Sequence, residues 1–419
     1  MIYPKRIMCL VSAASVLLCT GCASDEVVRS HREQVEITLA WWGNDARHEY
    51  TIKGIEAFEE LHPDIKVNLS YSEWSGYEAR NRVRMIAGSE TDVMQINVGW
   101  IKAFSPDGKG YYDIEELDSY VDLSSFTEDK LNYGRVNGIL NAVPIAMNAE
   151  TVYINKTIYE KYGLSVPQTW DDYFNAAKVM SKDGVYPLSG AGKTVWLLAI
   201  AYTEQKCGKT ILDENGKLNF SKNDLRTMIS FYKELVDKKV IPQVEFYDRL
   251  NINSGDYAGT IAWVSDAKNY CGTAIDNGFE VVPAPYPAFS ADKSGDGWYA
   301  KPATLYAISK NTEHPREAGL LLDFLLNSNE MALLQGIEKG IPLSEKALGA
   351  LDEAGMLSGL QYDASLVMDN NTRISQMDPA LENTSVIEKY IDFCNLVIYD
   401  KSTLDETAEA LYADLQKDL

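Results

Sequence analysis

Hydrophobic positions follow two different periods in the first hundred residues. From residue 52 to residue 61 they recur every three or four positions, which predicts a helix that ends at His62-Pro63-Asp64. From residue 65 to residue 71 they alternate with polar residues, which predicts a half-buried strand. A short apolar strand, Ile37 to Trp42, precedes the helix. Strand, helix and strand in this order predict a βαβ unit with parallel strands.

The βαβ pattern then repeats. A helix is predicted from Tyr77 to Ala87 because apolar residues keep helical spacing up to Gly88, and residues 92–98 form a compact apolar strand. In open α/β sheets ligands bind beyond the carboxyl ends of parallel strands, so the residues that follow the three strands are expected to lie together. These residues are Trp41-Trp42, Ser72-Glu73-Trp74 and Asn97-Val98-Gly99-Trp100.

The rest of the chain predicts a second α/β section between two crossing segments. Residues 141–155 are a proline-containing extended segment, and residues 298–308 are a second one. Between and after them the pattern predicts strands at 260–263 and 280–285 and helices at 170–181, 194–205, 224–238, 315–326 and 385–419. A chain of 419 residues exceeds the size at which single cores stop growing, so two lobes are expected.

The N-terminal sequence predicts a secretion signal. Lys5 and Arg6 precede an apolar run that is too short to span a bilayer, and the run ends in small residues. The sequence Thr20-Gly21-Cys22 resembles a bacterial lipobox, in which the signal is removed before a cysteine that becomes lipidated. We therefore expect residues 1–21 to be a lipoprotein signal peptide, Cys22 to carry the lipid (palmitate), and residues 22–35 to be a tether.

Charge and cysteine count narrow the class of protein. The net charge is −22, which argues against nucleic acid because phosphates are bound by Lys and Arg. Cys207, Cys271 and Cys394 lack C-x-x-C spacing, so we expect three small core residues, with one disulfide among them left open. The four histidines fit no zinc-type spacing, and no phosphate-binding or dinucleotide motif is present, so neither a metal nor a cofactor is expected.

Tryptophans near strand ends, with polar side chains beside them, suit a hydroxylated ligand. Aromatic planes bind the C–H faces of sugars, while Asp, Asn and Arg bind the hydroxyl rim. Trp41 and Trp42 point to opposite faces of a strand, so we expect Trp42 to contact ligand and Trp41 to be core. For Asp45 helix capping is as good an explanation, for Arg47 a solvated charge is the commoner one, and Trp170 is expected to anchor a helix.

Five segments, in this order, resemble the extracellular sugar-binding proteins of ATP-driven importers, of the maltodextrin and multiple-sugar type (family 1). They are residues 37–45, 57–67 and 92–96, then 144–156 with 163–170, and then 306–309 followed by 314–318. The resemblance implies an α/β fold of two lobes of the class II periplasmic-binding type, with a hinge and an interlobe cleft. It implies an N-terminal lobe of residues 36–145 and 303–343 and a C-terminal lobe of residues 146–302 and 344–419.

The same resemblance implies the function and the site. The protein is expected to be a monomer that binds a neutral oligosaccharide and delivers it to an ABC permease without catalysis. It would be held by its lipid on the extracellular face of the bacterial cytoplasmic membrane. Carried over by position, the sugar-binding residues are Trp42, Asp45, Arg47, Trp74, Asn97, Trp100, Asn148 and Trp263, to which Trp196 and Trp298 are added from the cleft-facing position implied by such folds. Asn148 stands where maltodextrin-binding members have an acidic residue.

Two other interpretations stay open. The acidic, tryptophan-rich and exported composition also fits a surface-anchored glycoside hydrolase or lyase, since one sequence cannot show whether two carboxyl groups converge across a cleft. A third interpretation keeps the fold and changes the cargo to a peptide, a polyamine or a ferric ion.

Overall fold

A computed structural model describes residues 34–247, 251–290, 296–371 and 373–419. The predicted signal peptide, Cys22 and nearly all of the predicted tether lie outside the described residues. The strands are β1 Val35–Trp42, β2 Ile65–Ser72, β3 Val93–Ile96, β4 Arg135–Val136, β5 Ile139–Leu140, β6 Ala142–Asn155, β7 Gly259–Trp263, β8 Val281–Ala284, β9 Tyr299–Ile308 and β10 Ser375–Gln376. The helices are α1 Asp45–Leu61, α2 Trp74–Ala87, α3 Val98–Phe104, α4 Glu128–Leu131, α5 Lys156–Lys161, α6 Trp170–Met180, α7 Lys193–Cys207, α8 Lys222–Asp237, α9 Ala267–Asp276, α10 Pro315–Asn327, α11 Asn329–Gln335, α12 Glu345–Glu353, α13 Leu360–Asp369, α14 Thr384–Ile398 and α15 Leu404–Asp418.

One sheet runs through the molecule. Its strand order is β2-β1-β3-β9-β6-β7, with β10 beside β9 and β8 beside β6. The pairs β1–β2 and β1–β3 are parallel, as the repeated βαβ pattern predicts, whereas β9 is antiparallel to β3 and to β6. The long strands β6 and β9 therefore connect the parallel part of the sheet to its other end.

The chain has two main hydrophobic cores, one at each end of this sheet. The first lies on both faces of β1 and β3, and alternation along β1 sends Leu39 and Trp41 to one face and Ala40 to the other. Trp41 is fully buried and Trp42 is partly exposed, so the predicted difference in burial between the two tryptophans is confirmed. We call the part of the chain around this core the first lobe.

The second core lies between helices α6, α7, α8, α14 and α15 and the far end of β6. The two cores meet within single strands: on β6, Ile145 belongs to the first core and Met147 to the second. On β9, Ala300 packs in the second core and Leu305 in the first. We call the part around the second core the second lobe. The residue boundaries given above for the lobes stay a prediction.

The larger elements follow the sequence predictions, and the differences are local. Strand β3 ends at Ile96 because Asn97 caps α3, so the predicted strand over residues 92–98 is two residues too long at that end. The predicted C-terminal helix is two helices, α14 and α15, and the second begins with a capping box at Thr403. Trp170 is buried at the start of α6, as expected. Cys207 is exposed, which corrects its assignment to the core, and Cys271 and Cys394 are buried.

Candidate functional site

A cavity of about 530 Å³ lies between the two lobes. Its walls come from the ends of elements in both lobes, and β9 contributes Lys301, Pro302 and Ala303 between them. The remaining lining residues are Trp42, Trp74, Glu78, Asn97, Val98 and Gly99 of the first lobe and Lys193, Pro379, Glu382 and Thr384 of the second. We call this cavity the cleft. Its volume is within the range of small-molecule sites.

The first-lobe wall is aromatic. The ring of Trp74 packs edge-on against Trp42, with 4.9 Å between ring centroids, and Trp74 is 38% exposed. Behind them Trp100 is buried and stacks on Tyr77 at 5.9 Å. The carboxyl ends of β1, β2 and β3 thus bring the predicted tryptophans together, but only Trp42 and Trp74 line the cleft, and Trp100 supports them.

The polar candidates of the first lobe hold local structure. The Asn97 side chain accepts a hydrogen bond from the backbone N–H of Trp100 at 3.0 Å and still lines the cleft. Asn44, not Asp45, caps α1, and Asp45 is exposed outside the cleft lining. Arg47 donates from Nη2 to the carbonyl oxygen of Glu338 at 2.8 Å, which ties α1 to the segment after α11.

Strand register places Lys301, which lines the cleft, beside three residues that support the second-lobe wall without lining the cleft. On β6, Asn148 lies opposite Lys301 of β9, and Glu150 lies opposite Trp263 of β7. Asn148 and Glu150 are two residues apart and therefore share one face of β6. Pairing across three neighbouring strands thus places Lys301, Asn148, Glu150 and Trp263 next to one another.

Two lysines and one glutamate, all missed by the sequence analysis, dominate this wall. The Nζ atom of Lys193 donates to Glu382 Oε1 at 2.8 Å, and that of Lys301 donates to Glu382 Oε2. The same ammonium groups lie 4.9 and 4.7 Å from the centroid of the Trp263 ring. The one available sequence signal was the position of Lys301 in the predicted second crossing.

Burial sets the protonation of this cluster. Burial raises the pKa of Glu150 to about 7. Burial also lowers the pKa of Lys301, and the attraction of Glu382 opposes that shift only in part. Burial acts to raise the pKa of Glu382, but Lys301 and Lys193 outweigh it, so that pKa lies below its ordinary value. Glu382 is therefore an ionised partner for two cations.

Asn148 makes its contacts with the protein. Its Nδ2 donates to Ser265 Oγ at 2.9 Å, and its Oδ1 accepts from the backbone N–H of Ser265 at 3.2 Å. The side chain is 7% exposed and does not line the cleft. Asn148 thus holds the turn that follows Trp263.

The expected cleft-facing position of Trp196 and Trp298 is wrong. Both side chains are buried in the second core, where each indole N–H has a backbone acceptor. Trp196 Nε1 donates to the carbonyl oxygen of Leu381 at 3.0 Å, and Trp298 Nε1 donates to that of Glu150 at 2.6 Å. The two tryptophans instead position the backbone next to Glu382 and at Glu150.

Two further features concern ions and membranes. Among the described residues, no group of three or more His, Cys, Asp or Glu side chains is arranged to hold a metal ion. His48 accepts a hydrogen bond at Nδ1 from Trp41 Nε1 at 3.1 Å, and burial lowers its pKa. Among the helices that the structure describes, none combines the length and the apolar character that crossing a membrane requires.

Comparison with known proteins gives consistent matches. Residues 44–332 match the family described as "Bacterial extracellular solute-binding protein". The multiple sugar-binding protein of Streptococcus mutans is 24% identical over 363 residues, which cover 81% of this chain and 82% of that protein.

Solved structures show the same likeness. A periplasmic solute binding protein from Pectobacterium atrosepticum matches with a TM-score of 0.82 and 29% identity, over 92% of this chain and 98% of that chain. A periplasmic oligogalacturonide binding protein from Yersinia enterocolitica, in complex with saturated digalacturonic acid, matches with a TM-score of 0.78 and 30% identity, over 92% and 100% of the two chains. This likeness confirms the predicted two-lobed α/β fold.

Proposed function

The chain belongs to the bacterial extracellular solute-binding proteins, and from that premise we propose that it binds an oligosaccharide in its cleft and delivers it to the permease of an ABC importer. One observation carries the proposal: a single cavity is lined by tryptophan rings from one lobe and by charged hydrogen-bonding groups from the other. Sugars need both, because their C–H faces pack on rings and their rims form hydrogen bonds.

The relatives support the ligand class. One is named for multiple sugars, and another was solved with saturated digalacturonic acid. An oligosaccharide that contacts both walls would stabilise the closed arrangement of the lobes by the contacts that it makes only there. The two relatives differ in the charge of the ligand that they name: digalacturonic acid is acidic, whereas "multiple sugar" specifies no charge.

A carrier without catalysis fits the chemistry of the cleft better than a hydrolase. Glu382, the carboxylate of the second lobe that lines the cleft, is shared by two lysines that keep it ionised. Glu150 has a raised pKa, but its side chain is buried and does not line the cleft. A glycosidase acid needs a raised pKa and a second carboxyl group across the scissile bond. Glu78, on the first-lobe wall, is instead paired with Arg82 at 3.7 Å.

The place of the protein in the cell belongs to the same proposal. We infer an extracellular monomer that is held by a lipid on Cys22 and reaches the permease by the tether of residues 22–35. The sequence pattern at Thr20-Gly21-Cys22 supports the anchor. Radiolabelled palmitate should be incorporated by the natural chain and not by the Cys22→Ser variant, and incorporation by both would refute the anchor.

Calorimetric titration tests the binding function. The purified protein is titrated with a panel of neutral and acidic oligosaccharides, and the expected result is saturable binding of at least one of them. The bound sugar is then incubated with the protein and analysed for products. Intact recovery is expected, whereas cleavage at enzymatic rates would support the hydrolase or lyase. Binding of a peptide or a polyamine in place of every sugar would refute the ligand class.

A further inference from the structure

The cleft concentrates positive charge on one wall of a strongly acidic protein. The net charge of the sequence is −22, yet both Lys193 and Lys301 line the cleft. Within the described residues, each of these ammonium groups has one hydrogen-bond acceptor, and for both it is Glu382. Two ammonium groups offer six N–H donors and two positive charges. One shared carboxylate therefore leaves one charge and several donors without a partner in this part of the chain.

Trp263 supports these cations. Both ammonium groups lie within 5 Å of the ring centroid, a distance at which a ring attracts a cation. A ring surface that is in contact with ammonium groups is not free to stack on the C–H face of a neutral sugar. Trp263 thus holds two donors in place, and the free stacking surface of the cleft is on the opposite wall, at Trp74.

The other carboxylates near the cleft do not cancel the surplus. Glu150 lies opposite Trp263 and is buried, and burial raises its pKa to about 7. It is therefore ionised in only part of the molecules at neutral pH and neutralises the two lysines incompletely. Glu78 faces the cleft from the first lobe, where Arg82 of the same helix pairs with it.

The start of α7 adds to the positive potential. Lys193 is the first residue of this helix, and the preceding residue, Gly192, has a φ of +55° and provides no side-chain cap. The N-terminal end of a helix carries a partial positive charge of about half an elementary charge. In α7 this end lies beside an ammonium group that already lines the cleft, so both favour an anion at the same place.

From these contacts we propose that the oligosaccharide carries carboxylate groups, as a uronic acid oligosaccharide does, and that Lys193 and Lys301 bind one of them above Trp263. The proposal rests on the proposed function and adds the charge of the ligand, in contrast to the neutral ligand expected from the sequence. A ligand carboxylate accepts from the N–H groups that Glu382 leaves unused, while a sugar ring packs on Trp74.

Matched ligands test this inference. The protein is titrated by calorimetry with trimers of galacturonate, glucuronate and mannuronate, with their fully methyl-esterified forms, and with maltotriose, raffinose and stachyose. Methyl esters keep the sugar chain and its linkages and remove its charge, at the cost of one added methyl group per sugar unit. We expect at least one acid to bind tenfold or more tightly than its ester, with an affinity that falls as salt rises.

Variants locate the effect. Lys193→Gln and Lys301→Gln should reduce the preference for acid over ester to less than threefold, whereas Lys301→Arg, which keeps the charge, should retain it. Lys53→Gln removes an exposed lysine of α1 that does not line the cleft, and should leave both affinities unchanged. Thermal unfolding of each variant distinguishes lost binding from lost folding.

Each outcome decides between the proposals. Equal binding of acid and ester, or selective binding of a neutral oligosaccharide, would overturn the inference and leave the oligosaccharide carrier intact. An acid preference that survives both glutamine variants would overturn the role of the lysines. If no sugar of any kind binds, the proposed function fails together with the inference.

Discussion

Asn148 and Ser265 exchange two hydrogen bonds across 117 positions of the sequence. One joins the two side chains, and the other joins the Asn148 amide oxygen to the Ser265 backbone N–H. Ser265 comes two residues after Trp263, so this pair fixes the turn that leads away from the ring on which Lys193 and Lys301 lie. The side chain of a residue outside the cleft lining therefore controls the shape of the second-lobe wall.

The first prediction concerns this pair. Asn148→Ala removes both hydrogen bonds and leaves the partly buried Ser265 N–H without its acceptor, so we expect a loss of about 1–3 kcal/mol in the free energy of unfolding. Ligand affinity should fall as well, because the turn after Trp263 loosens. Ser265→Ala keeps the hydrogen bond to the backbone N–H, so it should lower the free energy of unfolding and the ligand affinity by less. Equal effects of the two variants in denaturation and calorimetry would contradict this account.

The second prediction uses the exposed ring of the first-lobe wall. Trp74→Ala should weaken ligand binding by about tenfold, because one stacked ring contributes roughly 1 kcal/mol or more. The free energy of unfolding of this variant should change little, since the ring is 38% exposed. Val83→Ala truncates another exposed apolar residue of α2 and should leave binding intact. If Trp74→Ala binds as the natural protein does, the ligand does not pack on this wall.

The third prediction contrasts two tryptophans of the second lobe. Trp263→Ala removes the support of both cleft lysines and should weaken binding, with a smaller effect on folding because the ring is only partly buried. Trp170 is 3% exposed and donates to Gln205 at 2.9 Å, so Trp170→Ala should cost about 3–5 kcal/mol of stability and leave the affinity of folded molecules unchanged. A Trp170→Ala protein that folds but does not bind would refute the assignment.

Local periodicity explains why the first-lobe wall could be predicted. Strands β1, β2 and β3 each follow from a pattern of fewer than ten residues, and parallel pairing brings their carboxyl ends together. Trp42, Trp74 and Asn97 were therefore expected to lie together without any knowledge of distant contacts, and all three line the cleft, while their contact with ligand stays a prediction. Trp100 was expected in the same cluster, and the structure places it on the buried side of that cluster. The orientation of a ring on a short helix depends on what packs behind it.

The second-lobe wall depends on contacts that no local pattern encodes. Lys193 and Glu382 are 189 positions apart, and Lys301 and Glu382 are 81 apart. Each of the three is an ordinary charged residue in its own segment. The burial of Trp196 and Trp298 likewise follows from backbone acceptors at Leu381 and Glu150, which become neighbours only after folding.

The fourth prediction is a pH dependence at Glu150. The folded-state pKa of about 7 is above the ordinary 4.5, so the folded protein holds this proton more tightly than the unfolded chain does. The resulting stability is present below about pH 4.5 and is lost as pH rises to about 7. The Glu150→Gln variant has no carboxylate to ionise here and does not lose this stability. Its free energy of unfolding, relative to that of the natural protein, should therefore increase by on the order of 2–3 kcal/mol between pH 4.5 and pH 8.

Denaturant unfolding at several pH values measures this difference. Glu56→Gln removes an exposed carboxylate of α1 and serves as the matched control, with little expected change at any pH. A Glu150→Gln variant whose stability runs parallel to that of the natural protein from pH 4.5 to pH 8 would show that Glu150 has no raised pKa.

The fifth prediction is a pH dependence at Lys339, where stability should rise with pH instead of falling. Its side chain is buried, donates to the Tyr306 hydroxyl at 2.7 Å and lies 5.0 Å from that ring. Burial, with a smaller contribution from Arg47, lowers the pKa of Lys339 to about 7 from 10.5. The folded protein thus holds this proton less tightly than the unfolded chain, and stability should rise as pH increases from about 7 to about 10.

Lys339→Met keeps the length of the side chain and removes the charge, so the variant should be more stable than the natural protein by on the order of 3–5 kcal/mol at pH 7. The gap should narrow steadily up to pH 10, because the cost of losing this proton on folding falls as the pH approaches 10.5, the ordinary pKa of lysine. Lys53→Met, at an exposed position of α1, is the control and should show no such trend. A gap that stays constant from pH 7 to pH 10 in denaturant unfolding would mean that Lys339 keeps its proton in the folded protein, held by its contacts with Tyr306 and Tyr50.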